Sequence, residues 1–193
     1  MSKNEYLGYC KIDRTRVEMA ITNLLLALRE DPTREGLTNT PRRVATMFER
    51  ALCGYNGLPE ITRFSTDIDD LQARKCDFVS FCEHHIVPFS GTAYIAYLPD
   101  KYILGMDKID LLVDYHAARL QLQERMTAEI ADTVMNVAEA KWVMVQTFGT
   151  HFCAKLKGNE GNFACSAIRG DKTLTGLRDE ALFLFSQLDK EDN

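Results

Sequence analysis

The first quarter of the chain carries apolar residues at the three- and four-residue steps of a helix. This pattern predicts a helix over residues 13–30, which the Asp31-Pro32-Thr33 run brings to an end. A second helix is predicted from Thr40 as the cap, with Pro41 at the first helical position and Gly54 as the stop. The chain therefore begins with a helical portion.

Beyond this portion the spacing changes between the period of a strand and that of a helix. The segment 55–75 is mixed and polar, and it is interpreted as a loop-rich connector. Strands are predicted at residues 77–81, 91–98, 142–148, 151–157 and 162–168. Helices are predicted at residues 107–115, 121–138 and 177–187.

The order of these elements predicts an α+β fold. Strands stand on both sides of a helix pair, which favours an antiparallel sheet with two helices on one face, preceded by an N-terminal helical segment. The change of pattern separates residues 1–75, the helical segment and its connector, from residues 76–193, the sheet domain. Both are expected to form one structural unit.

Composition and charge narrow the possible partners. The 193 residues include 23 basic and 28 acidic side chains, with a net charge of -5 and a pI near 5.4, so a nucleic-acid partner is not expected. No run approaches the roughly 18 apolar residues of a membrane span, and no secretory signal is visible. Six cysteines without a leader indicate a reducing compartment, so we expect a cytoplasmic protein.

Cysteine and histidine cluster in two short segments. The first is Cys82-Glu83-His84-His85 and the second is His151-Phe152-Cys153, which together hold three of the four histidines. Cys82 and His85 have a spacing that lets one turn point both side chains at one ion, and Cys153 could add a third ligand, as in catalytic zinc sites. Ordinary core cysteines with surface histidines are the alternative, and spacing alone leaves both open.

Other polar positions have a plain structural interpretation. His116 is expected on the polar surface of its helix, and the polar run 121–125 is expected to be a solvated helix start. Lys155 and Lys157 would share one face of a strand, where they could hold an anion or face solvent.

Taken together, several segments resemble the signatures of GTP cyclohydrolase I. The resemblance lies in Cys82-Glu83-His84-His85, Gln121-Leu122-Gln123-Glu124-Arg125-Met126-Thr127, His151-Phe152-Cys153-Ala154-Lys155, Gly36-Leu37-Thr38-Asn39-Thr40-Pro41-Arg42-Arg43-Val44-Ala45, Gly54-Tyr55 and Ser166-Ala167-Ile168-Arg169-Gly170. These segments run in order from about residue 17 to 185 and cover nearly the whole chain.

The resemblance implies a fold, an assembly and a reaction. The fold is the tunnelling fold, with an antiparallel four-stranded sheet, and it makes residues 76–193 the catalytic domain. The assembly is a homo-oligomer, usually a decamer of two stacked pentamers, with active sites between subunits. The reaction opens the imidazole ring of GTP at C8, releases formate and gives 7,8-dihydroneopterin triphosphate, a precursor for folate, biopterin or 7-deazaguanine pathways.

The resemblance also implies roles for individual residues. Cys82, His85 and Cys153 resemble the ligands of Zn²⁺, and His84 and His151 resemble the proton-transfer residues. Gln123 and Glu124 resemble the residues that hold the guanine edge. Lys108 and Arg43 resemble triphosphate contacts, and Arg43 is expected to reach across from a neighbouring subunit.

Three positions of the implied triphosphate pocket depart from the family pattern. Asp107 stands where Ser is usual, Leu111 where Arg is usual, and Lys157 where another Arg is usual. The pocket would lose one cation and gain one anion, so a different guanine nucleotide, dGTP, GDP or GMP, is an alternative substrate. A non-catalytic nucleotide-binding protein is a further alternative. A nitrile reductase of the same fold is disfavoured, since no NADPH-binding motif is visible.

Overall fold

The computed structural model describes residues 7–159, 161–171 and 173–190. Contacts divide the chain into two compact units at Gly57 and Leu58. The sequence pattern changes later, at residues 75 and 76, so residues 58–75 belong with the sheet. That the chain works as one structural unit stays a prediction. Among the described residues no helix has the length and apolar character needed to cross a membrane.

The two long helices described in the first unit are the ones that the apolar spacing predicts. Helix α1, Arg14–Ala27, begins after Asp13, whose side chain accepts a hydrogen bond from the backbone N–H of Arg16 at 3.0 Å. Helix α2, Thr40–Ala51, is followed by a 3-10 turn, Cys53–Asn56. The guanidinium of Arg14 joins the helices through a hydrogen bond to Glu49 at 2.8 Å.

The start of α2 differs by one residue from the prediction. Asn39, and not Thr40, is the cap, so Thr40 is the first helical residue and Pro41 the second. Pro41 is tolerated there because the first N–H groups of a helix have no partner within the helix.

The second unit is built on a five-stranded sheet. Its strands are β2 (Gln72–Cys82), β3 (Val87–Leu98), β5 (Leu120–Gln121), β6 (Trp142–His151) and β7 (Phe163–Gly170), in the order β5-β2-β3-β6-β7. The four long strands are antiparallel neighbours, and β5 adds a parallel pair of residues at the edge. Two short strands, β1 (Arg63–Ser65) and β4 (Tyr102–Leu104), pair separately. The predicted four-stranded antiparallel sheet is therefore confirmed.

Helices cover the two faces of the sheet unequally. Helices α3 (Met106–Ala117) and α4 (Gln123–Ala138) pack on one face, where Phe89, Ile95 and Val145 are fully buried. The last helix, α6 (Thr175–Leu188), packs on the opposite face against Trp142 and Met144. The period-two alternation of β3 and β6 produces both cores, since successive side chains point to opposite faces.

The prediction of a strand over residues 151–157 is wrong. Strand β6 ends at His151, and a short helix, α5 (Phe152–Lys155), follows. His151 pairs with Phe89, and the next partner on β3 would be Pro88, which has no N–H to donate to the ladder. Lys155 and Lys157 therefore do not share the face of a strand.

The connector is shorter than predicted. Strand β2 starts at Gln72, because its polar first half pairs with the end of β3. Arg74 in this half forms a bidentate ion pair with Asp110, at 2.9 and 2.7 Å, so its charge is compensated. A strand that is formed by pairing and not by burial carries charged residues, so its hydrophobic pattern does not reveal it.

Candidate active site

The turn after β2 places His85 beside Cys82. The backbone N–H groups of His85 and Ile86 both donate to the carbonyl of Cys82, at 3.3 and 2.8 Å. Ile86 has a φ of +53°, which is strained for a β-branched residue. The chain thus turns back on itself, and the Sγ of Cys82 lies 3.7 Å from the Nδ1 of His85.

Cys153 completes a three-residue cluster. Helix α5 begins directly after β6 and brings the Sγ of Cys153 close to the other two atoms, so that all three lie within 4.8 Å of one another. Two ligands of a tetrahedral zinc ion, one sulfur and one nitrogen, stand about 3.6 Å apart. The measured 3.7 Å fits that spacing, and the donor set of two thiols and one imidazole is one that zinc prefers. The residues therefore fit the metal.

Polar contacts hold the turn that carries Cys82 and His85. The N–H of Glu83 donates to the carbonyl of Gln121 at 3.1 Å, and Arg125 forms an ion pair with the Glu83 carboxylate. The Nε of Arg125 also donates to Gln121 Oε1 at 2.9 Å. The hydrogen bond from Arg125 lowers the pKa of Glu83. The start of α4 thus fixes the position of the turn.

His151 is held between two aromatic rings. It stacks on Phe89 with 4.5 Å between centroids and meets Phe163 edge-on at 5.2 Å. Its Nε2 lies 2.9 Å from Oε1 of Gln123. Burial lowers the pKa of His151, and the negative charge of Glu124 opposes that effect.

These residues line one cleft of about 490 Å³, a size that suits a small-molecule ligand. Seven of the predicted site residues meet there: Cys82, His84, His85, Gln123, Glu124, His151 and Cys153. His84 and Glu124 are exposed to it, whereas Gln123 is buried at 2% exposure. The cleft therefore joins the cluster of Cys82, His85 and Cys153 to the imidazole and carboxylate groups of the other residues.

The predicted triphosphate residues of the second unit do not line this cleft. Lys108 and Asp107 stand in the first turn of α3, and their side chains form an ion pair at 2.7 Å. The C-terminal end of α3 lies about 13 Å along the helix axis from Lys108. The chain continues from that end into β5, which pairs with Cys82, so Lys108 stands at the end of α3 that is remote from Cys82. Lys157 is exposed beyond α5 and does not line the cleft. Arg43 lies in α2 of the first unit.

Sequence reasoning missed several residues around the site. His116 was expected on the surface but is buried at 4% exposure, and Gln121 and Gln123 are buried although a solvated helix start was expected. Their hydrogen bonds explain the burial, since a polar side chain can be buried when it is paired. Phe89 and Phe163 contact the ring of His151. The period-two alternation of their strands could have identified them as side chains on the same sheet face as His151.

The comparison with known proteins agrees with the geometry. The family model described as GTP cyclohydrolase I matches residues 17–179. The chain belongs to the GTP cyclohydrolase I family. A relative from Hyperthermus butylicus named GTP cyclohydrolase 1 is 43% identical over 83% of this chain and 84% of its own length. A second, from Streptomyces avermitilis and of the same name, is 38% identical over 90% of this chain and 91% of its own.

A solved structure, an archaeosine synthase QueF-Like protein in the apo form, is also similar. It shares 17% identity and a TM-score of 0.47 over 55% of this chain and 98% of its own. A likeness at that level adds nothing to the assignment to the GTP cyclohydrolase I family. The recognition made from sequence, the α+β fold with its antiparallel sheet and the assignment to an enzyme family are confirmed.

Proposed function

We propose that this protein opens the imidazole ring of GTP at C8, releases formate and forms 7,8-dihydroneopterin triphosphate. The observation that carries the proposal is the cleft in which a Cys82, His85 and Cys153 cluster meets His84, His151 and Glu124. Ring opening needs an activated water, proton donors and acceptors beside it, and a group that holds the purine. The cleft contains candidates for all three.

Cys82, His85 and Cys153 would hold a zinc ion, which when bound supplies the Lewis-acid chemistry that makes water a nucleophile at neutral pH. His84 and His151 would transfer protons to and from the opening ring, because imidazole titrates near neutral pH. The exposed carboxylate of Glu124 would accept hydrogen bonds from two N–H groups of guanine, which fixes the base in one orientation.

The triphosphate would be bound by residues of another copy of the chain. Lys108 does not line the cleft of its own chain, which supports a site completed between subunits, and Arg43 is the second candidate cation. The homo-oligomer, a decamer of two pentamers, follows from the resemblance and stays a prediction. The cytoplasmic location stays a prediction as well.

Turnover of GTP tests the proposal directly. The purified, zinc-loaded protein is incubated with GTP, and formate is measured together with pterin fluorescence after oxidation. Both products are expected, with about one zinc per chain. The His84→Ala and His151→Ala variants should keep the zinc and lose turnover. Zinc-loaded, assembled protein that yields neither product would refute GTP as the substrate, and turnover that survives both substitutions would refute the proton-transfer roles.

A second candidate substrate is favoured by one contact. The carboxylate of Asp107 lies 2.7 Å from Nζ of Lys108 and would compete with a phosphate for that cation. A charge-assisted hydrogen bond to phosphate contributes about 1.5–3 kcal/mol, so a weakened contact favours a nucleotide with fewer phosphates. A panel of GTP, dGTP, GDP and GMP decides: kcat/KM for GTP far above the others would exclude this candidate.

A further inference from the structure

The side-chain amide of Gln123 is engaged on both sides. Its Nε2 lies within hydrogen-bond distance of the Thr147 carbonyl at 3.0 Å, the Thr147 hydroxyl at 3.1 Å and the Phe163 carbonyl at 3.1 Å. Its Oε1 lies 2.9 Å from Nε2 of His151. Both hydrogens of the amide nitrogen are therefore used inside the protein.

The orientation of this amide follows from its partners. Two of the partners of Nε2 are backbone carbonyls, which only accept hydrogen bonds. The reversed amide would place Oε1 against both carbonyls, where no hydrogen bond could form. The two threonine hydroxyls agree with this orientation. Thr127 donates to the backbone carbonyl of Gln123 at 2.7 Å and therefore accepts from Thr147 at 2.7 Å, which leaves the Thr147 oxygen to accept from Nε2 of Gln123. Oε1 must therefore face His151.

The amide in turn determines the hydrogen position on His151. A carbonyl oxygen can only accept, so the Nε2 of His151 must carry the hydrogen that fills the 2.9 Å contact. In the neutral imidazole the lone pair is then on Nδ1. Among the residues that the structure describes, Nδ1 of His151 has no hydrogen-bond partner. Phe89 and Phe163 fix the plane of the ring.

We propose that Gln123 is a positioning residue for His151: its side chain holds the Nε2–H tautomer and leaves the lone pair of Nδ1 for the substrate. This inference rests on the proposed function, in which His151 transfers protons. The resemblance places Gln123 at the guanine edge. With 2% of the residue exposed and both amide hydrogens engaged, its side chain would have to break buried hydrogen bonds to bind guanine.

Gly149 provides the space that the arrangement needs. A Cβ atom at position 149 would lie 2.7 Å from Oε1 of Gln123 and 3.2 Å from its Cδ. The amide cannot move away easily, because its nitrogen is held by Thr147 and Phe163. A Gly149→Ala substitution would therefore displace Oε1 from His151 while it leaves Gln123 in the sequence.

The tautomer can be measured without any assay of turnover. Solid-state NMR of zinc-loaded protein with ¹³C,¹⁵N-labelled histidine correlates each protonated ring nitrogen with its bonded carbons, and a His151→Asn spectrum identifies the signal. We expect the protonated nitrogen of His151 to correlate with Cδ2, because Nε2 is the only ring nitrogen bonded to that carbon. A protonated nitrogen that correlates with Cγ would overturn the proposal, even if GTP is turned over normally.

Kinetics of matched variants test the positioning role. Gln123→Met and Gly149→Ala should both lower kcat for GTP at least about tenfold and leave KM within about twofold, because a misoriented imidazole affects proton transfer and not binding. Both should also change the NMR signal of His151. Gln146→Met, the same substitution on the opposite sheet face, is the control and should change neither. A large rise in KM at unchanged kcat would overturn the proposal in favour of guanine binding by Gln123.

Discussion

The buried histidine of α3 should make the stability of this protein depend on pH. The guanidinium of Arg119, which only donates, lies 2.7 Å from Nδ1 of His116, and the Glu129 carboxylate, which only accepts, lies 3.3 Å from the same nitrogen. The shorter contact favours the neutral imidazole, with its lone pair on Nδ1. The Nε2–H is then left to donate to Thr133 Oγ1 at 2.8 Å. Burial is the largest cause that lowers the pKa of His116, to about 4, and the charge of Arg119 adds to it. Glu129 and Asp132 oppose the shift without cancelling it.

The size of the effect follows from the two pKa values. Between about pH 6.5 and 4 the unfolded chain binds a proton at His116 and the folded protein does not, so the free energy of unfolding falls as the pH falls. At 1.36 kcal/mol for each pKa unit, the full loss is roughly 3 kcal/mol. About 2 kcal/mol of it is lost between pH 7 and pH 5.

Urea unfolding of the wild-type protein and of His116→Gln at several pH values measures this contribution. Both proteins share the other ionisable groups, including Cys82, His85 and Cys153, so the difference between their pH profiles isolates His116. The variant should lose about 2 kcal/mol less than the wild-type protein between pH 7 and pH 5. If the two proteins lose the same free energy of unfolding over that range, the reasoning is refuted. A histidine that is neutral in the folded state and protonated in the unfolded state must make the wild-type protein lose more.

Three further substitutions test separate parts of the structure. Cys153→Ser should lower the zinc content well below one per chain in elemental analysis, while the control Cys165→Ser should retain the metal. Equal zinc content in the two variants would contradict the assignment of Cys153 as a ligand. Gly91→Ala should lower the free energy of unfolding by at least about 1–3 kcal/mol, because its Cβ would lie 1.8 Å from the carbonyl oxygen of Phe148; an unchanged urea midpoint would contradict the packing of β3 on β6. Ile86→Gly should be about 1 kcal/mol more stable than Ile86→Ala, since glycine adopts a φ of +53° without strain, and a more stable alanine variant would count against strain at that turn.

Much of the fold follows from the alternation of apolar residues. Helices α1, α2, α3, α4 and α6 and the long strands were predicted close to their observed positions, because apolar residues recur in each at the period of the element. Helix α1 shows that the period alone is enough, since none of its residues is buried. The structure differs from the prediction where strand pairing, and not burial of apolar residues, sets the bounds of an element. The polar half of β2 is formed by pairing with β3, and β6 ends opposite Pro88, two constraints that appear only when the partner strand is known.

The candidate site was predictable as a set of residues but not as a set of contacts. Cys82, His85 and Cys153 could be named from residue type and resemblance, and they cluster. The role of Gln123 could not be read in the same way, because a glutamine at the start of a helix has the same sequence pattern whether it faces solvent or a histidine.

Burial of the polar residues is what connects the fold to the proposed chemistry. Gln121 ends β5 and Gln123 begins α4, two residues further on, and their side chains serve different parts of the cleft. Gln121 accepts from Arg125, which pairs with Glu83 in the turn between Cys82 and His85, while Gln123 contacts His151. The polar run 121–125, which looks like a solvated helix start in the sequence, therefore supports both the turn that carries Cys82 and His85 and the histidine beside it.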